Sequence, residues 1–164
     1  MTKIRSTYTR WLENLTVGLL LLTIFNVFID VVLRYVFNNS SIALQEIEWH
    51  LFSTLFLLGI SYTLQSDAHV RVDIFYANLT QKKQALINIT GFVIFILPIS
   101  LLVAYYGIDY SFNAFEISEI SGDPGGLTHR FIIKSVIPLS FILVIISGFI
   151  FAHDNYKNLK GENT

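Results

Sequence analysis

The 164 residues are 53% hydrophobic and only 14% charged, with a mean hydropathy of +0.57. That is more apolar material than a small soluble core buries, and well under the roughly 25% charge of a soluble domain. A net charge of −1 leaves no basic face for nucleic acid, and the lack of cysteine excludes disulfides, thiol redox chemistry and thiolate metal sites.

The apolar residues fall into four blocks, 12–37, 43–64, 84–107 and 130–152. Each is long enough to cross a bilayer core that needs roughly 20 apolar residues at 1.5 Å rise. The fold expected is an all-α membrane protein with four transmembrane helices in one membrane domain. The first block follows Lys3, Arg5 and Arg10. It is too long for a signal-peptide core and lacks a small-residue cleavage site, so it reads as a retained helix. Asn38-Asn39-Ser40-Ser41 is a short connection, which makes helices 1 and 2 antiparallel neighbours, with Ser40 or Ser41 as the cap of helix 2. After the second block, residues 69–80 mix apolar and charged side chains; a short interfacial helix fits, and so does an irregular loop. An outer loop over 109–129 contains Gly122-Asp123-Pro124-Gly125-Gly126, which breaks helix.

Orientation follows from the basic residues. Lys3, Arg5, Arg10, Arg71, Lys82, Lys83, Lys157 and Lys160 fall on one side; Arg34, Arg130 and Lys134 fall on the other. The richer side is cytoplasmic, which places both termini there and the acidic Asp109, Glu116, Glu119 and Asp123 outside. Trp11 and Trp49 sit where interface anchors belong.

Charge is missing from the middle of every block. Asp30 and Arg34 lie one turn apart near the outer end of helix 1 and can pair. Glu46 and His50 share a face of helix 2 with Ser53, whereas Glu48 points elsewhere; one of the two carboxylates is expected to pair with Arg34 across the short hairpin. A stand-alone carrier or channel needs a solute site near the midplane, and none is visible. His50 and His129 near one face, with His69 and His153 near the other, leave open a di-haem redox protein, although two of the four fall in connections. No nucleophile, zinc-helix or phosphate-loop motif occurs, so no enzyme is indicated.

Several segments together resemble a known family. Asp30-Val-Val-Leu-Arg34-Tyr35-Val-Phe37-Asn38, Glu46-Ile-Glu48-Trp49, Phe56-Leu-Leu-Gly59 and Ile137-Pro138-Leu139 occur in order. Between them, Ser66-Asp67-Ala68-His69-Val70-Arg71-Val72-Asp73 matches a G-x-H-hydrophobic-R-hydrophobic-D pattern, apart from Ser66-Asp67 where a basic residue and glycine are common. Ser140 stands where glycine often follows the proline. The chain is similar in these segments to the four-helix small membrane subunit of tripartite ATP-independent periplasmic (TRAP) transporters. The resemblance implies a scaffold with no cofactor of its own, in the bacterial inner membrane. It would brace a large multi-pass subunit that binds sodium and an organic acid, sialic acid or a C4-dicarboxylate, delivered by a periplasmic binding protein. It implies structural roles for Asp30, Arg34, Glu46, Glu48 and Trp49 at the helix 1–2 hairpin. His69, Arg71 and Asp73 would fix the inner connection against helix ends or phospholipid.

Overall fold

The computed structural model describes residues 3–66, 76 and 78–160, and every element among them is helical. Helix α1 is Lys3–Val36 and α2 is Ile42–Ser66. Helix α3, Gln81–Glu116, joins an α-helical segment, Gln81–Gly91, through a π-helical turn, Phe92–Ile96, to a second segment, Leu97–Glu116. Helix α4 is Phe131–Lys160. All four extend beyond their apolar blocks, because polar flanks keep good helix propensity after the hydrophobic stretch has ended. The 34 residues of α1 alone span about 51 Å. Three stretches, Arg5–Val36, Gln81–Glu116 and Phe131–Lys160, are long and apolar enough to cross a membrane. Helix α2 is less apolar, since Glu46, Glu48, His50, Ser53, Thr54, Ser61, Thr63, Gln65 and Ser66 dilute it. His69, Arg71 and Asp73, with most of the expected interfacial segment, lie outside the described residues.

The helices form an open row rather than a closed bundle. Helix α1 packs along α2, α2 along α4, and α4 along α3, with no extended packing of α1 on α3. Small or short side chains recur along each seam among larger ones, as expected where lipid is as apolar as the core and close approach supplies packing energy. Arg5, Thr9, Leu12, Thr16, Leu19, Thr23, Asn26 and Asp30 recur along α1 at alternating spacings of four and three. Gln65, Ser61, Leu58, Thr54, Leu51, Ile47 and Leu44 do the same in reverse along α2. Contacts at both ends fix the register: Arg5 Nη2 donates to the Gln65 carbonyl (2.6 Å), and Asn26 Nδ2 donates to the Leu44 carbonyl (3.0 Å). The same antiparallel register sets buried Leu12 against buried Leu58. This is the seam of a left-handed antiparallel pair.

On α3, buried Ser100, Ala104, Gly107, Ser111 and Ala114 make the corresponding stripe toward α4. A Cβ on Gly107 would stand 3.1 Å from Pro138 Cδ, so the buried proline ring of α4 rests against bare backbone. Gly148 is tighter still: a Cβ there would lie 1.9 Å from the Phe92 ring. Phe92 is fully buried, starts the π turn, and meets Phe149 edge-on at 5.4 Å. The π turn has a local cause. Pro98 has no N–H and its ring collides with the carbonyl one turn back. Just before it, the Leu97 N–H bonds the Phe92 carbonyl five residues earlier, which lets the helix absorb an extra residue. Leu64, Val144 and Phe151, backed by Ile60 and Ile96, fill the core between α2, α3 and α4.

Candidate functional site

The polar chemistry of the chain gathers at the two ends of the row, and each end is a clamp between helices. At the outer end, α3 stops in a Schellman motif: Ser118 N–H bonds the Phe115 carbonyl (3.0 Å) and Glu119 N–H the Ala114 carbonyl (2.9 Å). Ser118 occupies the left-handed position with φ 47. The chain then folds back on itself. Ser121 N–H bonds the Leu127 carbonyl (2.9 Å) and Arg130 N–H the Glu119 carbonyl (3.1 Å). The tip is a type II turn, with Gly126 N–H on the Asp123 carbonyl (3.0 Å), Pro124 second and Gly125 third at φ 84.

This hairpin is fastened to both neighbouring helices. Glu46 of α2 accepts from the Leu127 N–H (2.5 Å) and from the Ser121 hydroxyl. Glu119 accepts from Lys134 of α4 and lies 3.9 Å from the Arg130 guanidinium. Lys134 Nζ also stands 4.0 Å over the Tyr110 ring. The expected pairing of Arg34 with Glu46 or Glu48 is therefore corrected. Arg34 Nη2 bonds Asp30 Oδ2 one turn back in its own helix (2.5 Å), and the loop takes Glu46. Two fixed donors on the loop hold a carboxylate better than a half-exposed arginine reaching across a hairpin. Asp30 is buried, Glu48 is half-buried, and Trp49 is 69% exposed, as an interface anchor should be. Ser41 caps α2 through Leu44 N–H (3.4 Å), as the sequence indicates.

The inner end was not foreseen. Arg5 of α1 donates to Asp154 of α4 (2.8 Å) as well as to the Gln65 carbonyl of α2. The Tyr8 hydroxyl meets Ser147 Oγ at 3.0 Å, and Gln65 Nε2 donates to the Ser147 carbonyl (2.7 Å). Asn88 of α3 bonds Asn155 of α4 (2.9 Å) and the Tyr76 hydroxyl (2.9 Å). All four helices are thus tied together by named hydrogen bonds at one level. Each residue looks ordinary alone; the signal that was available is the four–three recurrence from Arg5 to Asp30, polar at every position but Leu12 and Leu19.

Between the clamps, the described helices carry no Asp, Glu, Lys or Arg over 14–29, 49–66, 84–108 and 135–153. A groove of about 470 Å³ opens toward the outer end, lined by Phe52, Phe56, Tyr110, Arg130, Ile133 and Lys134. Its two cations already face Glu119. Among the described residues no cluster of His, Asp and Glu has metal-ligand geometry. Among the described residues, these polar groups hold the helices and the outer hairpin in place.

Long apolar helices cross-tied at their ends define a multi-pass membrane protein. The family model for the DctQ component of tripartite ATP-independent periplasmic transporters matches residues 23–153. A Haemophilus influenzae protein described as a TRAP transporter small permease is 31% identical over 133 residues, which is 81% of this chain and 83% of that one. The chain belongs to the DctQ family, the small membrane component of TRAP transporters.

Proposed function

We propose that this chain is the scaffold subunit of a sodium-driven, binding-protein-dependent secondary transporter for organic acids in the bacterial inner membrane. In this reading it crosses four times, with both ends cytoplasmic. Helix α2 spans together with α1 because their seam runs unbroken from Gln65 to Leu44. The shared end at Arg5 and Asp154 brings the start of α1 and the end of α4 to one side. The concentration of lysine and arginine makes that side cytoplasmic.

The observation that carries the proposal is the open row. Among the described residues α1 packs on α2 and α3 on α4, and no charged side chain lies between the two clamps. This packing leaves long apolar faces on α1 and α3, where Leu21, Phe25 and Phe28, and Leu102, Tyr105 and Tyr106, are exposed. Such a row suits bracing a larger membrane subunit, which would hold the sodium and the substrate. Sialic acid is the substrate favoured, with C4-dicarboxylates as the alternative. Asp109, Glu116 and Asp123 surround the fixed outer hairpin, which would help to seat the periplasmic binding protein. His69, Arg71 and Asp73 would fix the inner connection to helix ends or lipid phosphates. Affinity capture from native membranes should recover one much larger polytopic protein. Proteoliposomes holding both membrane proteins should take up labelled sialic acid only with a sodium gradient and binding protein. Uptake by vesicles holding this chain alone, or capture without the large protein, overturns the proposal.

A further inference from the structure

We propose that the inner end of the α1–α2 seam is a hydration site, in which buried water joins Thr9, Ser61 and Gln65 beside Arg5. The register fixed by Arg5 on Gln65 and by Asn26 on Leu44 sets Thr9 opposite Ser61, one turn deeper than the Arg5 contact. A buried helical hydroxyl ordinarily bonds back to a carbonyl three or four residues earlier. Thr16, Thr23 and Thr54 do so on this same seam. Thr9 Oγ1 and Ser61 Oγ do not: both atoms are buried and meet no hydrogen-bond partner among the described residues. The same is true of Gln65 Oε1, one turn along from Ser61, and of Arg5 Nε, one turn along from Thr9. Ser61 and Gln65 are each 0% exposed. Four of the five such orphaned atoms in the described chain therefore belong to one short stretch of one seam.

The chemistry of these atoms selects the ligand. Arg5 Nε can only donate, Gln65 Oε1 can only accept, and the two hydroxyls can turn to do either. A metal cation is disfavoured by the guanidinium. An anion is disfavoured by the Gln65 oxygen and by Asp154, which already holds the other side of Arg5. An apolar occupant would leave all four atoms unsatisfied. Water donates to one partner, accepts from another and needs two to four polar contacts to be held. Leu12 against Leu58, the next layer inward, closes the site off from the seam beyond.

The test uses the full chain in lipid bilayers, observed by water-edited solid-state NMR. Magnetisation from water should reach the Thr9 side chain and the Gln65 side-chain amide several-fold faster than the methyls of Leu12 and Leu58. Equal, slow transfer at all four residues overturns the proposal. In Ser61→Val, transfer to Thr9 should fall several-fold while Asn26 and Leu44 keep their chemical shifts, which shows the seam intact. Unchanged transfer in that folded variant also overturns it. If Ser61→Val does not fold, a high-resolution structure of the unaltered chain decides. Solvent density between Thr9 and Ser61 supports the site, and a dry contact between the two hydroxyls refutes it.

Discussion

Among the described residues, three non-glycine residues have positive φ, and all three stand at the outer end: Asn38, Ser118 and His129. Asn38 is a residue that accepts this conformation readily at a helix C-terminus. Ser118 is not, and it is held there by the Schellman bonds and the hairpin that follows. Ser118→Gly should remove about 1 kcal/mol of backbone strain and raise the thermal unfolding midpoint in detergent. Glu46 is the residue on which the outer hairpin hangs. Glu46→Ala leaves a loop N–H and a hydroxyl without their acceptor and should lower the thermal unfolding midpoint. Limited proteolysis near Gly125 should report the release. Arg34→Ala should leave that proteolysis pattern unchanged, because Arg34 engages Asp30 and not Glu46. At the inner end, Arg5→Ala strands a largely buried Asp154 and breaks the tie to α2; a loss of roughly 2–3 kcal/mol in the same unfolding assay is expected.

At the scale of helices, the seams were only partly legible in the sequence. The four apolar blocks located the helices because a bilayer imposes long uninterrupted hydrophobic runs. They did not locate the helix ends, since apolarity marks the membrane and not the hydrogen-bond ladder. Nor did they show partners, because in lipid the packing face is the one with small residues and not the most hydrophobic one. Asp30 and Arg34 were readable as a pair from their spacing alone. The Glu46 contact was not, because its donors come from Ser121 and Leu127, on a loop whose return path no local pattern specifies. Of the two prolines inside the apolar blocks, Pro98 follows a π turn and Pro138 fills the space beside Gly107. The tightest element contact gives the sharpest expectation. Gly148→Ala forces a methyl group into the Phe92 ring and should destabilise by about 1–3 kcal/mol or more. Phe92→Leu in the same chain should restore part of the loss, and a double-mutant cycle measured by thermal unfolding tests that coupling.

At the scale of the whole molecule, membership of the DctQ family and the open row of helices support the proposed scaffold role. Among the described residues the charged groups sit toward the two ends, which leaves broad apolar flanks between them. In the proposed scaffold role those flanks would receive the larger subunit, and the two clamps would keep the helices from splaying.

Away from the inner end, α1 packs chiefly on α2 and α3 chiefly on α4, and each leaves its other face exposed. A tryptophan scan down Phe25, Phe28, Leu102 and Tyr106 would sort them into positions where bulk is tolerated by fluid acyl chains and positions where it ejects the larger protein. The outline of the shared surface would emerge from that pattern, turn by turn, before any image of the assembly existed.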